Sequence, residues 1–168
     1  MKKNILTFLF VLGILALGRL IPHPPNFTPI LATAIYTPYI INDRWIAMSI
    51  PLLAMFISDL VIGFHPYMLW VYGAIGLSTL ISNWSMQFKR KYIQLGTMAI
   101  LSSVLFFIIT NFAVWTIWDY YPKTFDGLLM SYTMAIPFFH NTLLGTILYT
   151  TLMVITIEKG KQYAKSYI

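Results

Sequence analysis

The chain has 168 residues and a mass of 19.3 kDa; 58% of its residues are hydrophobic and 10% are charged, its mean hydropathy is +0.73 and its net charge is +6. Soluble domains carry about 25% charged residues, and a domain of about 150 residues still leaves roughly 30% of its unfolded surface exposed. So much apolar surface excludes a soluble globule, a disordered chain and a nucleic-acid module, and makes the lipid bilayer the first partner of this chain.

A helix needs about 20 mostly apolar residues to cross a bilayer. Six stretches qualify, at roughly 4–21, 28–42, 45–64, 67–87, 94–117 and 136–157. They predict an all-α, polytopic membrane bundle of six transmembrane helices in a single domain over 1–168. The first stretch follows Lys2-Lys3 and ends near Ala16-Leu17-Gly18, a pattern that also suits a cleaved leader. It is read as a retained span because its apolar run is long and Arg19-Leu20-Ile21-Pro22 reads as a packed connection. The connection that follows holds Pro22, Pro24, Pro25 and Pro29, whose fixed φ stiffens it. Such stiffness predicts a segment that closes over a pocket and positions His23 and Asn26.

The second stretch is short and carries Pro29 and Pro38, which predicts a break or kink. The third is bounded by Asp43-Arg44 and His65-Pro66 and carries Asp59 near its far end. A carboxylate at that depth costs a few kcal/mol unless it finds a cation, a donor or water. Arg19, which closes the first span on the same side, is the expected partner. Two readings stay open for the pair: a structural pin between helices, or a pair facing a ligand. On the fifth stretch Asn111 and Trp115 stand four apart and share a helix face. The last apolar run, 127–157, is too long for one upright span; Pro137 is read as its break, leaving 124–135 as a short interfacial segment before the final helix. That helix then opens on His140 and Asn141, with Gly145 one turn on.

Positive charge fixes the expected orientation. With the N-terminus inside, the inner segments hold Lys2, Lys3, Arg44, Lys89, Arg90, Lys91, Lys159, Lys161 and Lys165, against Arg19 and Lys123 outside. Both termini are therefore expected in the cytoplasm, and the chain in a bacterial inner (cytoplasmic) membrane. On this topology all three histidines and three of the four aspartates fall on the outer side. Polar groups at membrane depth mark binding sites or pathways, so Arg19, His23, Asn26, Asp59, His65, Asn111, Trp115, His140 and Asn141 are the candidate substrate-binding residues. Arg19 and Asp59 would orient charged groups of a ligand, the asparagines would hydrogen-bond, and Trp115 would stack.

Catalytic patterns are missing. There is no Gly-x-Ser-x-Gly elbow (Gly76-Leu77-Ser78 lacks the second glycine), no second deep aspartate to pair with Asp59 and no phosphate-cradling glycine loop, so no enzyme is expected. The absence of cysteine removes disulfides and thiolate metal sites. His23, His65 and His140 come from three separate connections; a metal or metal-containing cofactor would need them to converge, and the residues name no cofactor.

Three stretches carry a resemblance: Pro25-Asn-Phe-Thr-Pro29, Pro51-Leu-Leu-Ala-Met-Phe-Ile-Ser-Asp-Leu-Val-Ile-Gly63 and Pro137-Phe-Phe-His-Asn-Thr-Leu-Leu-Gly145. They are similar to a group of uncharacterised bacterial integral membrane proteins. Six helices, cytoplasmic ends and a pocket under the first outer loop resemble the substrate-binding subunits of energy-coupling-factor vitamin transporters. That resemblance implies an uptake subunit for a vitamin-like small molecule, working with a transmembrane coupling protein and ATPases. The Ala-x-x-x-Ala stripe of such subunits does not occur here; Gly13-x-x-Ala16 is the nearest substitute. The alternatives are a structural or assembly protein whose polar cluster pins helices, and an enzyme of the membrane interface.

Overall fold

The computed structural model describes residues 13, 15–87 and 90–165, with side chains as far as residue 159. Every regular element among them is helical. A helical segment at 15–20 leads into an irregular stretch, 21–29. Then follow α1 (Ile30–Tyr36), a 3₁₀ turn (Thr37–Tyr39), α2 (Arg44–Ile62), α3 (Met68–Ser85), α4 (Lys91–Ile117) and α5 (Phe125–Lys165). The first expected span, 4–21, falls mostly outside the described residues.

Three helices are long and apolar enough to cross a membrane: α2, α4 and the Phe125–Lys159 part of α5. They expose what soluble helices hide. Only 39%, 28% and 22% of their most apolar windows are buried, while Val61, Ile93 and Met134 are 71%, 61% and 63% exposed. The interior is built instead from small side chains, with Ala32, Ala47, Ala54, Ser58, Ser78 and Ser82 fully enclosed. Large aliphatics outside and small residues between helices is the arrangement lipid favours, because close backbone approach replaces the hydrophobic drive.

The stretch 28–42 does not form one long helix. Its α-helix is seven residues and its 3₁₀ turn three, about 16 Å in all against a hydrocarbon core of about 30 Å. Each residue of α1 is buried, and α1 packs against all four other helices. Two prolines explain how so short an element is held. Pro38 has no N–H to offer the carbonyl of Ala34, and beside that gap the carbonyl of Ile35 accepts from the Ser82 hydroxyl at 2.6 Å. Pro51, inside α2, leaves the Ala47 carbonyl without its donor four residues on. The Thr37 hydroxyl supplies one at 3.0 Å, so one proline's vacancy fastens the other's turn. At the start of α2, the Asp43 carboxylate caps the backbone N–H groups of Trp45 and Ile46.

The break expected at Pro137 is absent. Helix α5 runs unbroken over 41 residues, so 124–135 is its first three turns and not a separate interfacial segment. A proline in a helix interior costs one hydrogen bond and a ring clash, about 3 kcal/mol. Breaking the helix in an apolar setting would strand several backbone groups, each at a cost of several kcal/mol. Continuation is the cheaper state.

Helix α5 opens against a tight turn. A Cβ built on Gly127 would lie 1.9 Å from the carbonyl oxygen of Pro122. Gly127→Ala must therefore displace the 119–124 turn, with an expected loss of about 2–3 kcal/mol, the upper part of the overpacking range. Thermal unfolding of the purified variant measures it, and an unchanged midpoint would show that the turn yields freely.

Candidate functional site

A cavity of about 570 Å³ lies inside the bundle, within the range of about 300–1,000 Å³ typical of small-molecule sites. The helical segment 15–20, the stretch 21–29 and all five helices contribute to its wall. Of the nine candidate residues, five line it: Arg19, His23, Asn26, His65 and Asn111. The other four, Asp59, Trp115, His140 and Asn141, do not.

Asp59 is fully enclosed. Its Oδ1 accepts from Arg19 Nη1 at 2.6 Å, and its Oδ2 accepts from the Tyr72 hydroxyl at 2.8 Å. The same Nη1 reaches the Ser58 hydroxyl at 2.5 Å and the Met55 carbonyl at 3.4 Å. The expected Arg19–Asp59 pair forms, but its carboxylate serves the arginine and not a ligand. Tyr72 is a partner that no sequence pattern singles out, since a tyrosine near a helix end reads as part of an aromatic belt.

The proline-rich stretch forms a side of the cavity. Phe27 N–H donates to the Pro24 carbonyl at 3.0 Å, and Asn26 takes φ +65°. Proline followed by an asparagine of positive φ is a type II arrangement, and it sets Asn26 against the cavity. Beyond the turn, Phe27 packs against α5: its ring centroid lies 5.8 Å from that of Tyr149, and a Cβ on Gly145 would stand 3.3 Å from its Cα. Gly145 thus admits the loop backbone, consistent with a glycine one turn below Asn141. His23 has one ring nitrogen 2.8 Å from the Pro24 carbonyl and the other 3.3 Å from that of Arg19.

His65, in the turn between α2 and α3, stacks on Tyr67 at 4.1 Å between centroids. Its Nδ1 is buried without a hydrogen-bond partner. Burial lowers the imidazole pKa, Asp59 opposes this and Arg19 adds to it. The ring is therefore neutral at neutral pH, with one donor and one acceptor. The amide nitrogen of Asn111 donates to the Phe107 carbonyl one turn back, at 2.8 Å.

Trp115 stands one turn beyond Asn111 but does not line the cavity, although Val114 beside it does. Its indole N–H donates to the Pro122 carbonyl at 2.9 Å. The expectation for His140 and Asn141 depends on a last helix that starts at Pro137. With α5 beginning at Phe125, they lie about 22 Å along it. His140 is exposed there, as are Ile136 and Leu144 one turn away on either side. The α5 residues that do line the cavity include Ser131, Thr142 and Thr146. Serine and threonine at helical spacing in an apolar helix give no signal that separates them from packing residues. Among the described residues no three His, Asp or Glu side chains converge to hold a metal; the histidines at 23 and 65 share the cavity and His140 does not.

A second polar cluster, not anticipated, ties α4 to α5 at the opposite end of the bundle. Lys91 Nζ donates to Glu158 Oε1 at 3.0 Å and the Tyr92 hydroxyl to Glu158 Oε2 at 2.8 Å. The signal that could have found it is that Glu158 is the sole glutamate of the chain.

The chain belongs to a family of unknown function, DUF6580, whose model matches residues 1–166. No curated protein and no solved structure matches it.

Proposed function

We propose that this chain is a six-pass bacterial inner-membrane protein, with both ends in the cytoplasm, that captures a small molecule from outside for uptake. The observation that carries this reading is the cavity itself. Residues from four regions far apart in sequence (Arg19 with Asn26, His65, Asn111 and Thr142) line one space of about 570 Å³. The irregular stretch 21–29 supports it too, because non-helical backbone at membrane depth is tolerated where it lines a cavity or is buried in protein. A short buried helix joined to such a stretch is how discontinuous membrane helices build midplane sites. In this reading α1 floors the cavity and the basic ends face the cytoplasm. Resemblance to vitamin-binding transporter subunits makes vitamins the first ligands to test, with a coupling protein and ATPases as the source of energy.

A second reading is favoured by the enclosure of Asp59: the polar cluster pins helices, and the protein is structural. The two readings part on ligand binding. A ligand present at 100 times its Kd stabilises the folded state by about 2.7 kcal/mol, so purified protein screened against vitamins and divalent metals should show a raised melting temperature with one of them. Asn111→Ala should abolish that rise without losing the fold, and His140→Ala should keep it. Full affinity in Asn111→Ala would refute the site, and no stabilising compound at all would leave the structural reading.

A further inference from the structure

Hydrogen bonding along the cavity wall is lopsided, and it restricts the ligand. On the α4 and α5 side five polar groups line the space: Thr110, Asn111, Ser131, Thr142 and Thr146. Each hydroxyl proton is already committed. Thr110 donates to Phe106 O at 2.7 Å, Ser131 to Asn111 O at 3.1 Å, Thr142 to Phe138 O at 2.9 Å and Thr146 to Thr142 O at 2.7 Å. Asn111 directs one N–H of its amide to Phe107 O, leaving its Oδ1 as an acceptor and its second N–H as a donor. A hydroxyl whose proton is used can only accept, so this wall offers chiefly acceptors.

Arg19 offers donors to the same space. It is the one charged side chain lining the cavity among the described residues. Its Nη1 makes the bonds to Met55, Ser58 and Asp59, so Nη2 and Nε remain as donors. The ion pair is turned so that its cation meets the cavity while its carboxylate is sealed away at 0% exposure. Asn26 and the neutral His65, whose Nδ1 has no partner, stand beside it. Six aromatic rings also line the space (Phe106, Phe107, Phe138, Phe139, Tyr67 and Tyr121), beside aliphatic side chains such as Val71 and Ile75.

We infer that the ligand is an aromatic-bodied anion: a carboxylate or similar acceptor group facing Arg19, and an N–H or O–H donor facing the committed hydroxyls of α4 and α5. This rests on the cavity being the capture site. A cation is disfavoured because it would meet a guanidinium with no exposed carboxylate in reach. A purely apolar ring would forgo the bonds that the acceptors of Thr110, Asn111 and Thr142 can still make, each worth about 0.5–1.5 kcal/mol.

Four probes of one shape test this: 6-hydroxy-2-naphthoate, 2-naphthoate, 6-methoxy-2-naphthoate and 6-hydroxy-2-naphthamidine. Binding of each to the full chain in lipid nanodiscs is measured by calorimetry. The hydroxy acid should bind roughly tenfold more tightly than the other two acids, the worth of about one well-made hydrogen bond, and the amidine should not bind measurably. Thr110→Val and Thr142→Val, close in shape to the originals, should between them erase that tenfold preference. An amidine that binds as well as the acid overturns the inference. So does a hydroxyl preference that is absent, or that neither threonine variant changes. If all four probes fail while another small molecule stabilises the protein and loses its effect in Asn111→Ala, capture stands and the ligand class is wrong. If nothing stabilises the protein, both fall.

Discussion

Asp59→Asn should lower the melting midpoint of the purified protein by on the order of 10 °C. The carboxylate is fully enclosed and holds Arg19 at 2.6 Å and Tyr72 at 2.8 Å. Removing its charge leaves a guanidinium, 16% exposed, with only neutral acceptors: the new amide oxygen, the Ser58 hydroxyl and the Met55 carbonyl. Breaking a buried pair by removing one partner costs about 3–5 kcal/mol, because the other charge stays uncompensated. In chains of this length each kcal/mol moves the midpoint by about 2–4 °C. Arg19→Met alone should cost a similar amount, since it strands the carboxylate. The double variant Arg19→Met with Asp59→Leu removes both desolvation penalties and should recover most of the loss. Additive losses in the double variant would mean that the two charges do not interact, whatever their distance. Recovery of stability together with loss of ligand binding would show that the pair's function is to present Arg19.

That pair was the part of the site most legible in the sequence. A lone aspartate in an apolar helix and a lone arginine at the end of another are each too costly in lipid to stand alone, so their meeting across 40 positions follows from solvation and topology. His23, Asn26 and Asn111 were legible for the same reason. What could not be read was anything decided by the exact course of a helix. Pro137 reads as a stop in water, where freed carbonyls find solvent, but the helix continues through it, and its course leaves His140 exposed and Asn141 off the cavity while Phe139 and Thr142 on either side line it. The reduction of 28–42 to a seven-residue helix depended on Ser82 and Thr37 lending hydroxyls to carbonyls at or beside the gaps the two prolines leave, contacts between elements that no local pattern records. The acceptor wall was hidden differently. Thr110, Thr142 and Thr146 are ordinary packing residues by type, and only the direction of each hydroxyl proton gives them a chemical sense.

Filling the cavity should separate capture from architecture. Ala135 and Val71 line it from α5 and α3, at 5% and 7% exposure, and a phenyl ring at either position projects into space that the native side chain leaves open. If the cavity is only a packing defect, the rings remove it. Empty volume costs about 24 cal/mol per Å³, so both variants should then melt higher with no other consequence. If it is a capture site, the ring competes with the ligand for the same volume, and Ala135→Phe and Val71→Phe should each weaken binding by at least about 100-fold, equivalent to about 2.7 kcal/mol. Stability of the unliganded protein should stay within about 1 kcal/mol of native, because the packing of the ring against its neighbours offsets the displacement of water from Asn111, Thr142 and His65. Two variants on different helices guard against a local clash, since a ring that merely distorts α5 would leave the α3 variant able to bind. Retained affinity in both would place the binding event somewhere other than this cavity, and calorimetry against the compound that stabilises the native protein decides it.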